Sequence, residues 1–216
     1  MTSILVVAKA PEPGRVKTRL GNEIGMEAAA EVAAASLLDT LATCASAASD
    51  RHLSLAGDLG AALREAEIQA ALEGWRVHPQ AGAGFAERLA DAHARMPGPV
   101  IQVGMDTPHL TAELLGETAA RLATYDAVLG PAVDGGWWVL ALRDPARAVA
   151  LVGVAMSTPT TGADTRIALE AAGLSVGLAP TLRDVDTVAD AHVVAALAPG
   201  SRFAEAWARV RERVVA

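Results

Sequence analysis

A basic segment near the N-terminus, residues 9–19, is the first part of the chain whose residue types could do chemistry. It holds both lysines of the 216-residue protein, Lys9 and Lys17, while every other strongly basic residue is arginine. With Arg15 and Arg19 they place four cations within eleven residues of a chain whose formal net charge is -7. The restriction of lysine to this segment indicates that a compact ammonium ion is needed there. We interpret the segment as a phosphate- or nucleotide-binding loop.

The sequence around this loop supports that interpretation. An apolar run at 3–8 predicts a buried strand, and the alanine-rich pattern from Glu23 to about Ala47 predicts a helix. A strand, a glycine-containing loop and a helix together offer backbone N–H groups to a phosphate. Pro11 and Val16 stand where a Walker A motif needs glycine, so this is not a P-loop. The alternative is a solvated connection that the prolines only stiffen.

Carboxylates form the second group. Asp106 follows a predicted strand at 99–103, and ligands of open α/β sheets bind beyond the C-terminal ends of strands. Asp106 could hold Mg²⁺ there, or it could be a turn or N-cap residue, since Asp-Thr-Pro is good turn chemistry. Asp184 and Asp186 lie on the same side of an extended segment and are plausible sources of a second metal ligand.

A third motif is Asp134-Gly135-Gly136, which is followed by two tryptophans. Adjacent glycines permit a close backbone approach to a ligand ring or sugar, although a simple Asp-Gly turn between strands has the same spelling. In a strand Trp137 and Trp138 must point to opposite faces, so at most one of them faces a pocket. We expect Trp138 to be a core residue.

Other suggestive residues are given structural roles. Gly82 and Gly84 begin a dinucleotide fingerprint, but Glu87 stands where its third glycine belongs. Ser175 lies in a Gly-x-Ser-x-Gly sequence with the helix before it and the strand after it, the reverse of a nucleophile elbow. The single cysteine, Cys44, falls in a helical pattern and is expected to be a small core residue.

Strand and helix patterns alternate along the chain, which predicts an α/β fold with a parallel sheet. The serine-, threonine- and proline-rich segment 156–165 is typical of a loop that can move over a site, and a helix is expected from there to about 172. The other predicted strands are 51–56, 75–78, 126–130 and 137–142. The other predicted helices are 59–72, one opened by the stretch 80–87 and running to about 96, 111–123, 188–197 and 201–215.

Composition restricts the class of protein. A hydrophobic content of 52% over 216 residues suffices for one sizeable core, and we expect a single domain over 1–216. The acidic balance argues against a nucleic-acid partner. The apolar run at the N-terminus is too short for a membrane span or a secretory signal, so we expect a cytoplasmic protein with no membrane partner.

Four motifs together resemble, in order and spacing, a bacterial family of glycosyltransferase-A-fold proteins. This family is usually labelled glycosyltransferase or nucleotide-diphospho-sugar transferase, and is similar to the guanylyltransferases that build the molybdenum cofactor and phospholactate intermediates. The resemblance covers about 3–198, before the C-terminal helix, and implies a single-domain three-layer α/β/α sandwich with a mostly parallel sheet. The motifs are 9–20, Asp106-Thr107-Pro108, Asp134-Gly135-Gly136-Trp137 and Asp184-Val185-Asp186-Thr187.

The chain departs from the family pattern at three places. Trp137 stands for the usual tyrosine, Met156 stands for the usual tryptophan, and the helix opening at 84–89 lacks an expected aspartate and glycine. These changes leave the phosphate and metal motifs intact and affect the expected recognition of the acceptor.

The resemblance implies a nucleotide lying over the C-terminal ends of the strands. Lys17 and Asp106 would be catalytic, and Asp106 with Asp186 or Asp184 would hold Mg²⁺ or Mn²⁺. The loop would wrap the phosphates, and the third motif would form the acceptor or sugar pocket. The phosphate-binding residues would be Lys9, Gly14, Arg15, Thr18 and Arg19, and the pocket residues would be Asp134, Gly135, Gly136 and Trp137.

Two kinds of transfer fit these motifs. Asp106 is followed by Thr107 and Pro108, so that strand end lacks the Asp-x-Asp pair with which glycosyltransferases of this fold usually hold their metal. We therefore favour attack of a phosphorylated acceptor on a nucleoside triphosphate with release of pyrophosphate. Glycosyl transfer from a nucleotide sugar to a small-molecule acceptor, and nucleotide binding without catalysis, remain alternatives. The base, the sugar, the acceptor and the oligomeric state stay open.

Overall fold

The computed structural model describes residues 2–215, and its centre is one seven-stranded sheet. The strand order is β3-β2-β1-β4-β6-β5-β7. All neighbouring strands are parallel except β6, which runs antiparallel to both β4 and β5, so the predicted mostly parallel sheet is confirmed. The strands are β1 (Ser3–Lys9), β2 (Arg51–Ala56), β3 (Arg76–Pro79), β4 (Val100–Gly104), β5 (Ala127–Pro131), β6 (Trp137–Leu142) and β7 (Val176–Leu178).

Helices cover both faces of the sheet. Ile4 and Val6 of β1 share a buried cluster with the long second helix, whereas Leu5 and Val7 pack with the fourth helix on the other face. Successive side chains of a strand point to opposite faces, so β1 is apolar throughout because both of its faces are buried. The helices are α1 (Thr18–Ile24), α2 (Met26–Ala47), α3 (Glu65–Ala71), α4 (Phe85–Ala94), α5 (Ala112–Arg121), α6 (Thr161–Ala171), α7 (Val188–Leu197) and α8 (Arg202–Val215).

Two predicted helices are divided in the structure. The helix expected from Glu23 begins earlier, at Thr18, and Gly25 separates α1 from α2 because its φ of 91° lies outside the helical region. The helix expected over 59–72 is a 3₁₀ turn (Leu59–Ala61) followed by α3, and between them Arg64 has a φ of 57°. A second 3₁₀ segment, Pro145–Leu151, was not predicted.

Helix α2 is long and apolar enough by composition to cross a membrane, but 72% of its most apolar window is buried within the fold. Its apolar length is therefore accounted for by packing. Cys44, near the end of α2, is fully buried, as predicted for a core residue.

The direction of β6 shapes the edge of the sheet where a ligand would bind. Because β6 is antiparallel to β4 and β5, its first residue, Trp137, lies beside the C-terminal ends of those strands and pairs with Pro131. The third motif is therefore brought to the same edge as the ends of β1 and β4.

Candidate active site

A cavity of about 700 Å³ lies at this edge of the sheet. Residues from all four sequence motifs line it, among them Lys17, Asp106, Asp134 and Asp186. Cavities of a few hundred to a thousand cubic ångströms are typical of small-molecule sites. The four motifs that carry the family resemblance therefore line one region of the protein.

Lys17 occupies the point where the basic loop enters α1. Its backbone is in the left-handed region (φ 47°, ψ 43°), which residues other than glycine uncommonly adopt. Its Nζ lies 2.8 Å from Oδ1 of Asp106 and 2.8 Å from Oδ1 of Asp186, and its side chain is 7% exposed. Burial lowers the pKa of Lys17, but attraction to and hydrogen bonds with the two carboxylates outweigh it, and the net pKa is raised. The ammonium is therefore charged at neutral pH.

The other predicted phosphate-binding residues divide into two groups. Lys9, Thr18 and Arg19 line the cavity and are exposed, and Arg19 Nη1 lies 3.3 Å from Oδ2 of Asp186. Gly14 and Arg15 lie outside the cavity lining.

Gly14 and Arg15 have local roles in the loop. Arg15 pairs with Glu12 at 3.3 Å, and its side chain is 76% exposed. The φ of 77° at Gly14 is one that favours glycine, so Gly14 serves the turn of the loop.

Three carboxylates form a compact cluster in the cavity. Each of Asp134, Asp184 and Asp186 offers one oxygen, and these oxygens all lie within 4.8 Å of one another. Burial, then repulsion from Asp134 and Asp186, raises the pKa of Asp184 to about 6. Oxygen ligands are those that Mg²⁺ prefers, and a divalent cation would offset this accumulated charge.

The cluster differs in membership from the metal site that the sequence suggested. Asp134 was expected in the acceptor or sugar pocket, yet it is grouped with Asp184 and Asp186. Asp106 is not part of the cluster and instead contacts Lys17. The position of Asp134 depends on the β5–β6 turn, and only its place after a predicted strand could have signalled it.

The paired glycines permit a close approach, but at Gly135 the neighbour is protein. Gly135 has a φ of 91°, and a Cβ there would lie 1.9 Å from the carbonyl oxygen of Pro159. Its own carbonyl oxygen accepts a hydrogen bond of 2.8 Å from the backbone N–H of Gly162. Gly162 belongs to α6, which begins at Thr161, so the second half of the segment 156–165 is helix where a loop was predicted. The turn holds this helix start against the site. Gly136 lines the cavity, and its N–H donates to Asp134 Oδ1 at 2.8 Å.

The two tryptophans point to opposite faces, as predicted. Trp138 is 3% exposed and donates from Nε1 to the carbonyl oxygen of Pro180 at 2.8 Å, which confirms it as a core residue. It nevertheless lines the cavity together with Trp137, so the expectation that at most one of the two faces a pocket was wrong. Trp137 is partly buried and donates from Nε1 to Oγ1 of Thr165 in α6 at 3.2 Å. The Trp137 side chain therefore lines the cavity and is hydrogen-bonded to α6.

Sequence reasoning missed the cavity residues that carry no motif. Gln80, Phe85, Arg88 and Gln102 all line the cavity on the side of α4. One of them, Gln102, could have been found from the sequence, because it is the one polar residue in the apolar run Val100-Ile101-Gln102-Val103.

Comparison with solved structures relates the chain to nucleotide-using proteins. A Desulfovibrio desulfuricans G20 protein, provisionally assigned as a nucleotide-diphospho-sugar transferase, matches with a TM-score of 0.83 and 29% identity over 100% of this chain and 96% of that one. A cytidylyltransferase from Leptospira borgpetersenii serovar Hardjo-bovis matches with a TM-score of 0.60 and 11% identity over 99% and 95% of the two chains.

A third structure is a 4-diphosphocytidyl-2C-methyl-D-erythritol synthase from Anaerococcus prevotii DSM 20548, with a TM-score of 0.58 and 14% identity over 97% and 99%. At these low identities the second and third matches show the fold alone. These structures confirm the predicted nucleotide-diphospho-sugar transferase-like fold.

A search of curated proteins returned no match. A protein-family model does match, over residues 38–158. Because that range spans more than half of the chain, the protein belongs to the bacterial family described as "Uncharacterized protein conserved in bacteria (DUF2064)".

Proposed function

We propose that the protein is a divalent-metal-dependent transferase that uses a nucleoside triphosphate or a nucleotide sugar. The observation that carries the proposal is the buried Lys17 ammonium, which lies 2.8 Å from both Asp106 and Asp186 at the edge of the sheet. An ammonium and a carboxylate cluster in one cavity are the groups needed to position a phosphate and neutralise its charge. The descriptions of the matched proteins, a nucleotide-diphospho-sugar transferase and cytidylyltransferases, support the same class.

The residues of the cavity fit a divalent metal. Asp134, Asp184 and Asp186 would supply oxygen ligands. The family resemblance implies that Asp106 would also hold the ion. Burial, and then repulsion from Asp134 and Asp186, raises the pKa of Asp184, and a bound cation would offset this repulsion. When bound, Mg²⁺ or Mn²⁺ would neutralise charge on the phosphate oxygens.

The chain's own residues have distinct roles in this proposal. Lys17 is rigidly held and would meet the phosphate at which charge develops. Lys9, Thr18 and Arg19 are exposed on the cavity wall and would hold the remaining phosphate oxygens. Arg15 lies outside the lining and would act on substrate affinity through long-range charge.

Nucleotidyl transfer is the favoured reaction. A phosphorylated acceptor would attack the α-phosphate, a new P–O bond would form, and the bond to the departing pyrophosphate would break. The absence of an acidic residue two positions after Asp106, where Pro108 stands, supports this choice. Glycosyl transfer is the second candidate, because the matched Desulfovibrio desulfuricans protein is described as a nucleotide-diphospho-sugar transferase.

An assay of released products distinguishes the two reactions. The protein would be incubated with Mg²⁺, each of the four common triphosphates and a pool of phosphorylated metabolites, and pyrophosphate would be measured. A parallel panel would pair nucleotide sugars with acceptors and measure nucleoside diphosphate. Diphosphate release without pyrophosphate would establish glycosyl transfer. Nucleotide binding without either product would indicate a binding protein, and absence of any nucleotide binding would overturn the proposal.

A further inference from the structure

Gln102 is a polar side chain in the middle of the buried strand β4. The residue is 3% exposed, and its amide oxygen lies 2.9 Å from Nε2 of His93, a fully buried residue of α4. A carbonyl oxygen can only accept, so the His93 ring must donate. This hydrogen bond fixes which end of the amide faces α4.

The amide nitrogen of Gln102 is consequently directed away from His93. Among residues 2–215 it has no hydrogen-bond partner, while Gln102 is part of the cavity lining. The nitrogen is not one of the fully buried side-chain atoms that lack a partner, so it is accessible and can pair with water or with a ligand in the cavity. A donor with a fixed direction in a cavity is suited to an acceptor atom of a bound molecule.

Gly104 leaves the space above Gln102 open. The two residues lie on the same face of β4, and Gly104 is paired in register with Val7, which also lines the cavity. A Cβ added at Gly104 would have only the backbone nitrogen of Asp106 as a neighbour, at 4.0 Å. The missing side chain thus gives a ligand access to the Gln102 amide.

The other residues on this side of the cavity suit a planar, uncharged ring. Gln80 donates from Nε2 to the carbonyl oxygens of Ala8 and Ser54, both at 3.1 Å, and this leaves its own amide oxygen as an acceptor. Phe85, at the start of α4, is 40% exposed and offers an aromatic surface. Arg88 adds a guanidinium at the same helix end.

The α4 side of the cavity carries different chemical groups from the part that holds the carboxylate cluster. The α4 side of the cavity, lined by Val7, Gln80, Phe85, Arg88, Gln102 and Gly104, contributes no carboxylate, and the aspartates come from the β4 end, the β5–β6 turn and the segment before α7. Amide donors and acceptors beside an aromatic ring and a guanidinium are groups that recognise a nucleobase by its edge and its face.

We propose that the α4 side of the cavity is a base slot, in which the Gln102 N–H donates to a carbonyl oxygen or ring nitrogen of the nucleobase. His93 is a positioning residue that holds the amide in this orientation. The inference rests on the proposed function, since it assigns one part of the cavity to the base and leaves the loop and the aspartates to the phosphates. Gln102 would then contribute to the choice among nucleotides.

Calorimetric titration with Mg²⁺ complexes of the four common triphosphates and of inorganic tripolyphosphate tests the slot. Wild-type protein should bind at least one triphosphate more tightly than tripolyphosphate, which has no base. Gln102→Leu should weaken that nucleotide about tenfold, the usual size of one lost hydrogen bond in a buried site, and leave tripolyphosphate unchanged. The double variant Gln102→Leu/His93→Leu removes both polar partners together and controls for an unpaired His93 ring.

Two further variants make the result specific. Gly104→Ala adds a methyl group in open space above Gln102 and should weaken nucleotides but not tripolyphosphate. His93→Leu should reduce the differences among the four bases, and His93→Gln, which retains an N–H donor, should restore part of them. Equal loss for tripolyphosphate, or nucleotide binding unchanged by Gln102→Leu, would overturn the base slot. Wild-type protein that binds neither these triphosphates nor tripolyphosphate, nor any nucleotide sugar titrated in parallel, would instead show that the proposed function has failed.

Discussion

The ammonium nitrogen of Lys17 lies 2.8 Å from Oδ1 of Asp186, a residue 169 positions later in the chain. The same nitrogen lies 2.8 Å from Oδ1 of Asp106. One buried cation therefore joins the N-terminal loop, the end of β4 and the segment that precedes α7. Because these three segments are distant in sequence, their meeting is a property of the folded protein.

Replacement of Lys17 should affect the rate most strongly. Lys17→Met keeps the length of the side chain but removes the charge, and by analogy with loss of one preorganised donor we expect turnover to fall about 10² to 10³-fold. Arg15→Ala, outside the cavity lining, should mainly raise the apparent KM. Steady-state kinetics of both variants with the substrate found in the product assay test this difference. Equal small effects at the two positions would indicate that the loop is only a solvated connection.

Lys17→Met, which should lower turnover, should strengthen the binding of a metal ion in the absence of nucleotide. In the wild-type protein the Lys17 charge competes with a cation for Asp106 and Asp186. Lys17→Met should therefore bind Mg²⁺ or Mn²⁺ alone about tenfold more tightly, since like charges at this range interact by a few kcal/mol before screening. Arg19→Met is the matched control, because Arg19 is 71% exposed and should change the affinity less. Unchanged or weaker metal binding in Lys17→Met would contradict this competition.

Asp186 should be the least replaceable carboxylate. It belongs to the cluster with Asp134 and Asp184 and also contacts Lys17. Asp106 contacts Lys17 but is not part of the cluster. We expect Asp186→Asn and Asp106→Asn both to abolish turnover, with the larger loss of metal affinity in Asp186→Asn. Metal titration and turnover assays of the two variants check the order. Activity that persists in chelator would remove the metal from the mechanism, and activity that persists in Asp106→Asn alone would remove Asp106 from it.

The sequence indicated those parts of the site that lie at the ends of predicted strands and helices, and the family resemblance implied that they work together. Lys17, Asp106 and Asp186 meet because each follows or precedes an element whose end lies at one edge of the sheet. The grouping of Asp134 with the other aspartates was not predictable, since it depends on β6 running antiparallel beside β4. The Gln102–His93 hydrogen bond likewise requires the packing of α4 on β4, for which neither residue carries a motif.

Local backbone conformation explains the errors in the helix boundaries. The left-handed conformations of Gly25 and Arg64 interrupt patterns whose apolar spacing continues through them. Arg64 gives no warning in the sequence, because residues other than glycine uncommonly adopt this conformation. The single domain over 1–216, the cytoplasmic location and the individual roles of the site residues remain predictions.

Cys44 should be chemically inert in the folded protein. Burial raises the pKa of the thiol to about 12, and the thiolate is the nucleophilic form. We expect negligible alkylation by iodoacetamide at pH 8 in native buffer and rapid alkylation in denaturant, measured by intact-protein mass spectrometry. Rapid native modification would mean that the C-terminal part of α2 opens readily.

His93 should make the stability depend on pH. Burial lowers the pKa of His93 to about 4, although the hydrogen bond to Gln102 acts in the opposite direction, and the unfolded value is 6.5. Above pH 6.5 the ring is neutral in both states, so the full stability is present. Between pH 6.5 and 4 the unfolded chain binds a proton that the native protein does not. The free energy of unfolding should therefore fall as the pH is lowered, by roughly 3 kcal/mol in total from this group.

Chemical denaturation at pH 7, 5.5 and 4.5 measures this loss, and the Gln102→Leu/His93→Leu variant isolates it. Burial also lowers the pKa of His52 and His109, so both proteins should lose some stability on acidification. The wild-type protein should have the higher free energy of unfolding at pH 7, and this difference should shrink or reverse toward pH 4.5. The variant lacks His93, whose protonation burial disfavours most strongly. Parallel pH dependence in the two proteins would show that His93 is accessible to protons in the native state and that the contact with Gln102 does not hold it in the core.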